Sequence, residues 1–177
     1  MWKKLSSKIL LDHPRLKVIE DEVELPNGHK IQYLKFDSSG NAVTIIAVNG
    51  DGKILLQREY SYPLNEEIYQ FPGGFVPDEE DLEAGANREL MEEAGLKANK
   101  LTDLGFYYPN NRRSNSKMYV YLGRDLQAES LTGDLEEDIK SYWFTEDEID
   151  QLIKNGEIQN FSVLSAWSLY RIKFKTS

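Results

Sequence analysis

An α/β or α+β sandwich, with a mixed sheet layered against two or three helices, is the fold class that this 177-residue chain predicts. Three observations carry it. Alternating apolar and polar runs bounded by turn residues stand on both sides of one long amphipathic helix. Two further helical segments close the chain. No repeat, low-complexity tract or long linker interrupts them.

In chain order, Leu16 to Leu25 alternates around Val18, Val23 and Leu25, and Pro26-Asn27-Gly28 supplies a turn before His29 to Phe36, which together predict an antiparallel hairpin. Asp37 to Asn41 punctuates the chain, and the apolar run Ala42 to Val48 predicts a buried strand. Asn49-Gly50-Asp51-Gly52 is a strong turn that returns Lys53 to Tyr60 as its partner. Helix formers from Leu82 to Ala94, stopped by Gly95, predict a helix of three to four turns. Strands follow at Leu101 to Tyr108, Lys117 to Gly123 and Ile139 to Phe144. Thr145-Glu146-Asp147-Glu148 is a capping-box pattern that opens a helix through Ile153, and a last helix from Ser162 to Lys173 shows Val163, Ala166, Trp167 and Tyr170 as its apolar face. The expected organisation is an N-terminal hairpin region over residues 1–40 and a main domain over 41–177. Two strands are marginal alone, so the hairpin must pack on its own domain or on a second copy of the chain.

Composition sets outer bounds. With 21 Lys and Arg against 30 Asp and Glu the net charge is −9, which argues against general binding to nucleic acid or to an anionic membrane surface. A phosphate-rich ligand must then be attracted locally. The absence of cysteine excludes disulfides, zinc–thiolate centres and thiol nucleophiles. Met1-Trp2-Lys3-Lys4-Leu5 lacks the apolar core of a signal peptide and no run of about 18 apolar residues is present, so a soluble cytoplasmic protein is expected.

The chemistry concentrates between Gly74 and Leu96. On the predicted helix, Glu89 and Glu93 are four residues apart and Glu92 is three from Glu89, so three carboxylates share one face. Stacked like charges repel, and a hard divalent cation relieves the conflict because Mg²⁺ or Mn²⁺ prefers oxygen ligands. Leu82, Ala86, Leu90 and Met91 recur at helical spacing and can bury the opposite face. Taken alone, Glu-x-x-Glu-Glu beside Arg88 reads as a solvated helix face. The preceding Phe71-Pro72-Gly73-Gly74 changes that reading, since it is a tight loop able to bring a backbone carbonyl beside the carboxylates.

The whole window runs Gly74, five residues, Glu80, seven residues, then Arg88-Glu89-Leu90-Met91-Glu92-Glu93-Ala94-Gly95-Leu96. It resembles in full the signature of the Nudix hydrolases, divalent-metal-dependent enzymes that cleave pyrophosphate bonds. Gln57-Arg58-Glu59-Tyr60 with Tyr62-Pro63, the segment Glu67 to Gly74, and Leu135 to Ile139 followed by Trp143-Phe144 are similar to the branch that hydrolyses ADP-ribose and nucleoside diphosphate sugars. The similarity runs from about Val18 to near the end of the chain.

That resemblance implies a Nudix α/β/α sandwich preceded by the N-terminal hairpin, which in this branch swaps across a homodimer and helps form the nucleoside pocket. It implies Mg²⁺ or Mn²⁺ as cofactor. Glu89 and Glu93 become the main metal ligands, Glu92 shares a second ion, and the Gly73 carbonyl completes a site. Arg88 reads as an ion pair that holds the carboxylates in place, ahead of a direct phosphate contact, and Glu80 as a group that braces the loop. The branch often takes its general base from a late acidic loop, which places Glu137 first and Glu136 second within Asp134 to Asp138.

Substrate choice lies outside the window. Where many ADP-ribose enzymes carry an arginine before the Tyr-Pro pair, this chain has Ser61. Arg112 and Arg113 either clamp a phosphate or sugar carboxylate or simply keep their loop soluble; Arg58 either reaches the phosphates or pairs with Glu59 or Glu67. Tyr33, Tyr60, Tyr62, Tyr69 and Tyr107 can stack on a base or fill the core, and His13 and His29, without ligand spacing, read as surface groups. The expected activity is hydrolysis of ADP-ribose or a related nucleoside diphosphate sugar to a nucleoside monophosphate and a sugar phosphate. Dinucleoside polyphosphates, NADH and nucleoside triphosphates are the competing substrates, and a catalytically silent nucleotide-sugar sensor is the alternative from another class.

Overall fold

The computed structural model describes residues 1–37, 40–133 and 138–174, and the chain divides into two compact units. The first comprises Met1–Gly40 with Tyr108–Ser116. It holds an antiparallel sheet of β1 (Lys3–His13), β2 (Leu16–Glu24) and β3 (Lys30–Asp37), in that order. The expected hairpin is β2 and β3, in register from Lys17 opposite Asp37 to Glu24 opposite Lys30. The sheet has an additional strand, β1, whose pairing with β2 slips between Lys4 and Ser6 and again between Ile9 and Leu11. Each slip inserts a residue and flips the inside–outside alternation, so β1 carries no clean period of two along its sequence. Asp21, on β2, is nearly buried; the Ser7 hydroxyl first, and the Lys35 ammonium with it, holds its carboxyl below the usual range.

The second unit comprises Asn41–Tyr107 and Lys117–Ser177. Its larger sheet joins β4 (Asn41–Ala47), β7 (Phe75–Val76), β8 (Leu96–Tyr107) and β9 (Met118–Ala128) in the order β7-β4-β9-β8. β4 and β9 run parallel and the other pairs antiparallel, so the sheet is mixed. A smaller antiparallel sheet sets β5 (Ile54–Ser61) between β6 (Glu66–Gln70) and β10 (Lys140–Phe144). Alternation along the central strands divides the core. Val43, Ile45, Ala47 and Leu55 pack with Ala86 and Leu90 of α1 (Leu82–Ala94) on one side. Ile46, Val48, Ile54 and Leu56 pack on the other with Ile149 of α2 (Glu146–Lys154) and with Val163, Ala166, Trp167 and Tyr170 of α3 (Phe161–Phe174). Helices therefore cover both faces, as the sandwich reading requires.

The elements begin and end where local chemistry says. Asp81 caps α1, accepting from the backbone N–H groups of Glu83 and Ala84 at 3.0 Å, and Gly95 closes it in the left-handed region at φ 65°. Thr145 and Glu148 form the expected capping box of α2. α1 approaches the sheet closely because Gly85 faces Val76, where a Cβ would lie 2.6 Å from Val76 Cγ2. Asn87 then pins the helix to β8 by exchanging hydrogen bonds with the Ala98 backbone at 2.9 and 3.1 Å. Among the described residues no helix is long and apolar enough to cross a membrane.

Candidate active site

One arginine organises the acidic face of α1. Arg88 Nε and Nη2 donate to the two Glu80 oxygens at 3.0 Å each, Nη1 donates to Glu89 and to Glu92 at 2.9 Å each, and Nη2 also donates to the Phe75 carbonyl at 3.0 Å. A guanidinium has five N–H donors, and this geometry uses all five, leaving none for a phosphate. The Glu80 hydrogen bonds first, and the charge of Glu89 with them, raise the Arg88 pKa further above its ordinary value despite partial burial. Arg88 thus fixes the rotamers of Glu89 and Glu92 and ties the Phe75–Glu80 turn to the helix. Arg88→Lys keeps the charge but loses the planar fork. We expect a loss of about 2 kcal/mol in stability by thermal melting, together with weaker divalent-cation binding; an unchanged melting temperature would contradict this arrangement.

The loop before β7 is shaped by close contact. Its strand-like bonds run to β4, with Ile45 N–H donating to the Pro72 carbonyl at 2.8 Å and Val43 N–H to the Gly74 carbonyl at 2.9 Å. A Cβ on Gly73 would overlap the Val43 carbonyl oxygen and lie 2.8 Å from Thr44 Cα. On Gly74 it would sit 2.6–2.7 Å from the carboxyl atoms of Glu89. The loop therefore lies directly on Glu89, and the Gly73 N–H donates to Glu93 Oε2 at 3.1 Å. Loop and helix together present two carboxylates beside backbone polar groups. Among the described residues no three His, Cys, Asp or Glu side chains gather as a metal-holding group. A hard cation that keeps several waters needs only one or two carboxylates, so the Glu89–Glu93 pair with the glycine loop fits such an ion.

Behind the loop lies a cavity of about 90 Å³ lined in part by Thr44, Gln70, Gly73, Gly74, Tyr107 and Ser162. Burial pushes the Tyr107 hydroxyl up to about 12, so it is a neutral hydrogen-bond donor at ordinary pH.

The remaining sequence candidates fall in different places. Arg58 stands on the face of β5 that carries Leu56, over the Tyr69 ring at 5.2 Å and 3.5 Å from Glu67, with its Nε buried and without a partner among the described residues. That face is opposite the one that meets α1, so Arg58 is not brought to the carboxylates of its own chain. In the first unit, Arg113 Nη1 donates to the Leu34 carbonyl at 2.8 Å, its guanidinium lies over Tyr33, and its own carbonyl accepts from the Phe36 N–H. Arg113 therefore fastens its loop to β3. Arg112 has its carbonyl bonded by the Tyr33 hydroxyl and lines an open cleft of about 370 Å³ with Tyr33, Lys35 and Phe36; among the described residues its guanidinium makes no ion pair. Glu136 and Glu137 lie outside the described residues. The chain leading to them is placed, with Leu131 N–H donating to the Met91 carbonyl at 3.2 Å and Gly133 close to the Glu92 carbonyl of α1.

Comparison with known proteins identifies the family. Residues 38–166 match the family model of the NUDIX domain, and residues 2–33 match that of the nucleoside diphosphate sugar hydrolase N-terminal domain. The chain belongs to the Nudix family. Its resemblance, read from Gly74 to Leu96, is thereby borne out, and Nudix hydrolases generally use a divalent metal. Among similar Nudix proteins are the ADP-ribose pyrophosphatase of Bacillus subtilis (strain 168), 29% identical over 90% of this chain and 87% of that one, and the ADP compounds hydrolase NudE of Escherichia coli (strain K12), 32% identical over 68% of this chain and 65% of the relative. A crystal structure of an ADP compounds hydrolase superposes with a TM-score of 0.91 at 27% identity, covering 98% of this chain and 94% of the other.

Proposed function

We propose that this Nudix protein is a metal-dependent pyrophosphohydrolase that cleaves the diphosphate of ADP-ribose or a related nucleoside diphosphate sugar, giving a nucleoside monophosphate and a sugar phosphate. The observation that carries the reading is the seating of Gly73 and Gly74 on Glu93 and Glu89 of a helix bearing the whole signature. The names of the relatives, and the match of residues 2–33 to a domain of nucleoside diphosphate sugar hydrolases, support the substrate class.

Glu89 and Glu93 are the principal ligands of Mg²⁺ or Mn²⁺, Glu92 shares a second ion, and the Gly73 carbonyl completes the donor set. The cation, when bound, supplies neutralisation of the diphosphate charge and acidifies the attacking water. Arg88 and Glu80 hold the carboxylates and the loop in position. Glu137, with Glu136 second, takes the proton from that water; the approach of Gly133 to α1 supports a base from this segment. Arg112 is the better substrate contact of the two loop arginines, because Arg113 already binds β3. Arg58 completes the substrate set for a ligand that enters the cleft it lines with Glu67, Tyr69 and Asn160, on the face of β5 turned away from α1. Residues 1–40 act as a dimerisation region, swapped between the copies of a homodimer, and 41–177 as the hydrolase domain. The protein works in the cytoplasm on small molecules, away from nucleic acid and membrane.

The test is turnover of a panel of ADP-ribose, nucleoside diphosphate sugars, dinucleoside polyphosphates, NADH and nucleoside triphosphates, with Glu137→Gln alongside. ADP-ribose or a nucleoside diphosphate sugar is expected to have the highest kcat/KM, and the variant to lose at least about a hundredfold in kcat at similar KM. Tight binding of one of these ligands without product would favour a sensor instead. A loss below tenfold in the variant would move the base elsewhere.

A further inference from the structure

Gln57 is the one fully buried side-chain amide in the smaller sheet, and neither its Oε1 nor its Nε2 has a hydrogen-bond partner among the described residues. Proteins rarely leave both halves of a buried amide unmet, and such a site asks for an explanation in function. Its position supplies one. Gln57 lies two residues beyond Leu55 on the same face of β5, and Leu55 packs with Ala86 and Leu90 of α1. Directly across the strand pair stands Gln70, three residues before Gly73, whose N–H holds Glu93. Gln70 is already committed, since its Nε2 donates to Glu59. The Gln57 amide therefore lies on the face of the sheet that meets α1, opposite the strand that leads into the glycine loop.

We propose that Gln57 is a positioning residue for the hydrated cation at Glu89 and Glu93, its amide reserved for a water that enters with the ion. A water both donates and accepts, so one molecule meets Nε2 and Oε1 together, which a phosphate oxygen cannot. When the ion binds, Gln57 fixes the orientation of its outer water. The inference rests on the reading of Glu89 and Glu93 as the cation site.

The test pairs thermal melting in chelator with calorimetric titration of Mn²⁺ on the full chain. Gln57→Met, of similar length and without polar atoms, is expected to raise the melting temperature in chelator by about 2–4 °C and to weaken Mn²⁺ binding by at least about tenfold. Gln57→Glu is expected to melt lower than wild type in chelator and to recover that deficit at saturating Mn²⁺. A lower melting temperature for Gln57→Met, Mn²⁺ affinity within twofold of wild type, or a Gln57→Glu deficit untouched by Mn²⁺ would each overturn the role. These outcomes separate from those of the hydrolase reading. A wild type that binds Mn²⁺ without hydrolysing any diphosphate sinks that reading while the titrations still decide Gln57, whereas wild-type hydrolysis with unaltered Gln57→Met binding overturns Gln57 alone.

Discussion

Glu93→Gln is expected to lower kcat by roughly a thousandfold, equivalent to the several kcal/mol that a cation contributes at a charged transition state. The fold should survive. The amide is nearly the same shape, its oxygen can still accept from the Gly73 N–H, and the change removes one like charge from a face that also carries Glu89 and Glu92. The melting temperature in chelator should therefore stay level or rise, while the rise expected for wild type on adding Mn²⁺ shrinks. That split separates a ligand from a structural carboxylate. A variant retaining more than a tenth of wild-type turnover would remove Glu93 from the cation site.

Gly73→Ala is expected to be the most destabilising glycine-to-alanine change among the described residues. Its Cβ would overlap the Val43 carbonyl oxygen and approach Thr44 Cα at 2.8 Å, and both belong to the backbone of a central strand, which cannot swing aside as a side chain can. Relief requires moving either β4 or the loop, at a cost of about 3 kcal/mol and a fall in melting temperature of roughly 6–12 °C. Because the loop also places Gly74 on Glu89, turnover should fall as well. Gly28→Ala is the control. That glycine has a positive φ of 81° in a turn but nothing within 4 Å of its would-be Cβ, so its cost is limited to the local backbone. Equal melting of Gly73→Ala and wild type, measured by calorimetry, would show that the loop does not lie where the contacts place it.

The legible parts of this chain are those in which local chemistry and burial agree. Helix α1 begins and ends as read, because Gly95 supplies its left-handed stop, and the four apolar residues read on α3 are its four buried ones. The capping box of α2 is likewise local. Strand β1 was hidden because its two register slips erase the period of two that marks a strand. Strand β6 is short, and its five residues include only two apolar ones, Ile68 and Tyr69.

At the site, spacing revealed which carboxylates share a face but not what each one touches. Arg112 and Arg113 are indistinguishable in sequence; what separates them is the Leu34 carbonyl, 79 residues from Arg113, that takes the second one out of play. Arg58 and Gln57 are neighbours whose side chains leave opposite faces of β5, and the arginine drew attention because charge advertises a phosphate contact. Gln57 reads as the polar end of an apolar strand. Only the packing of β5, β6 and β10 buries it, and that pairing joins residues as distant in sequence as Ile54 and Phe144, with Gln57 itself opposite Ser141. The apolar run that ends at Leu56 in the sequence continues as a buried run through Gln57 in the fold, and no local signal marks the difference.

The most direct test of the central claim is to incubate the purified protein with ADP-ribose, first in excess chelator and then after adding back Mg²⁺ or Mn²⁺, and to identify the products. The account predicts no turnover in chelator and, on restoring the cation, AMP and ribose 5-phosphate in equal amounts, at a rate lost in the Glu92→Gln/Glu93→Gln double variant. Turnover that persists in chelator, or in the double variant, would contradict it.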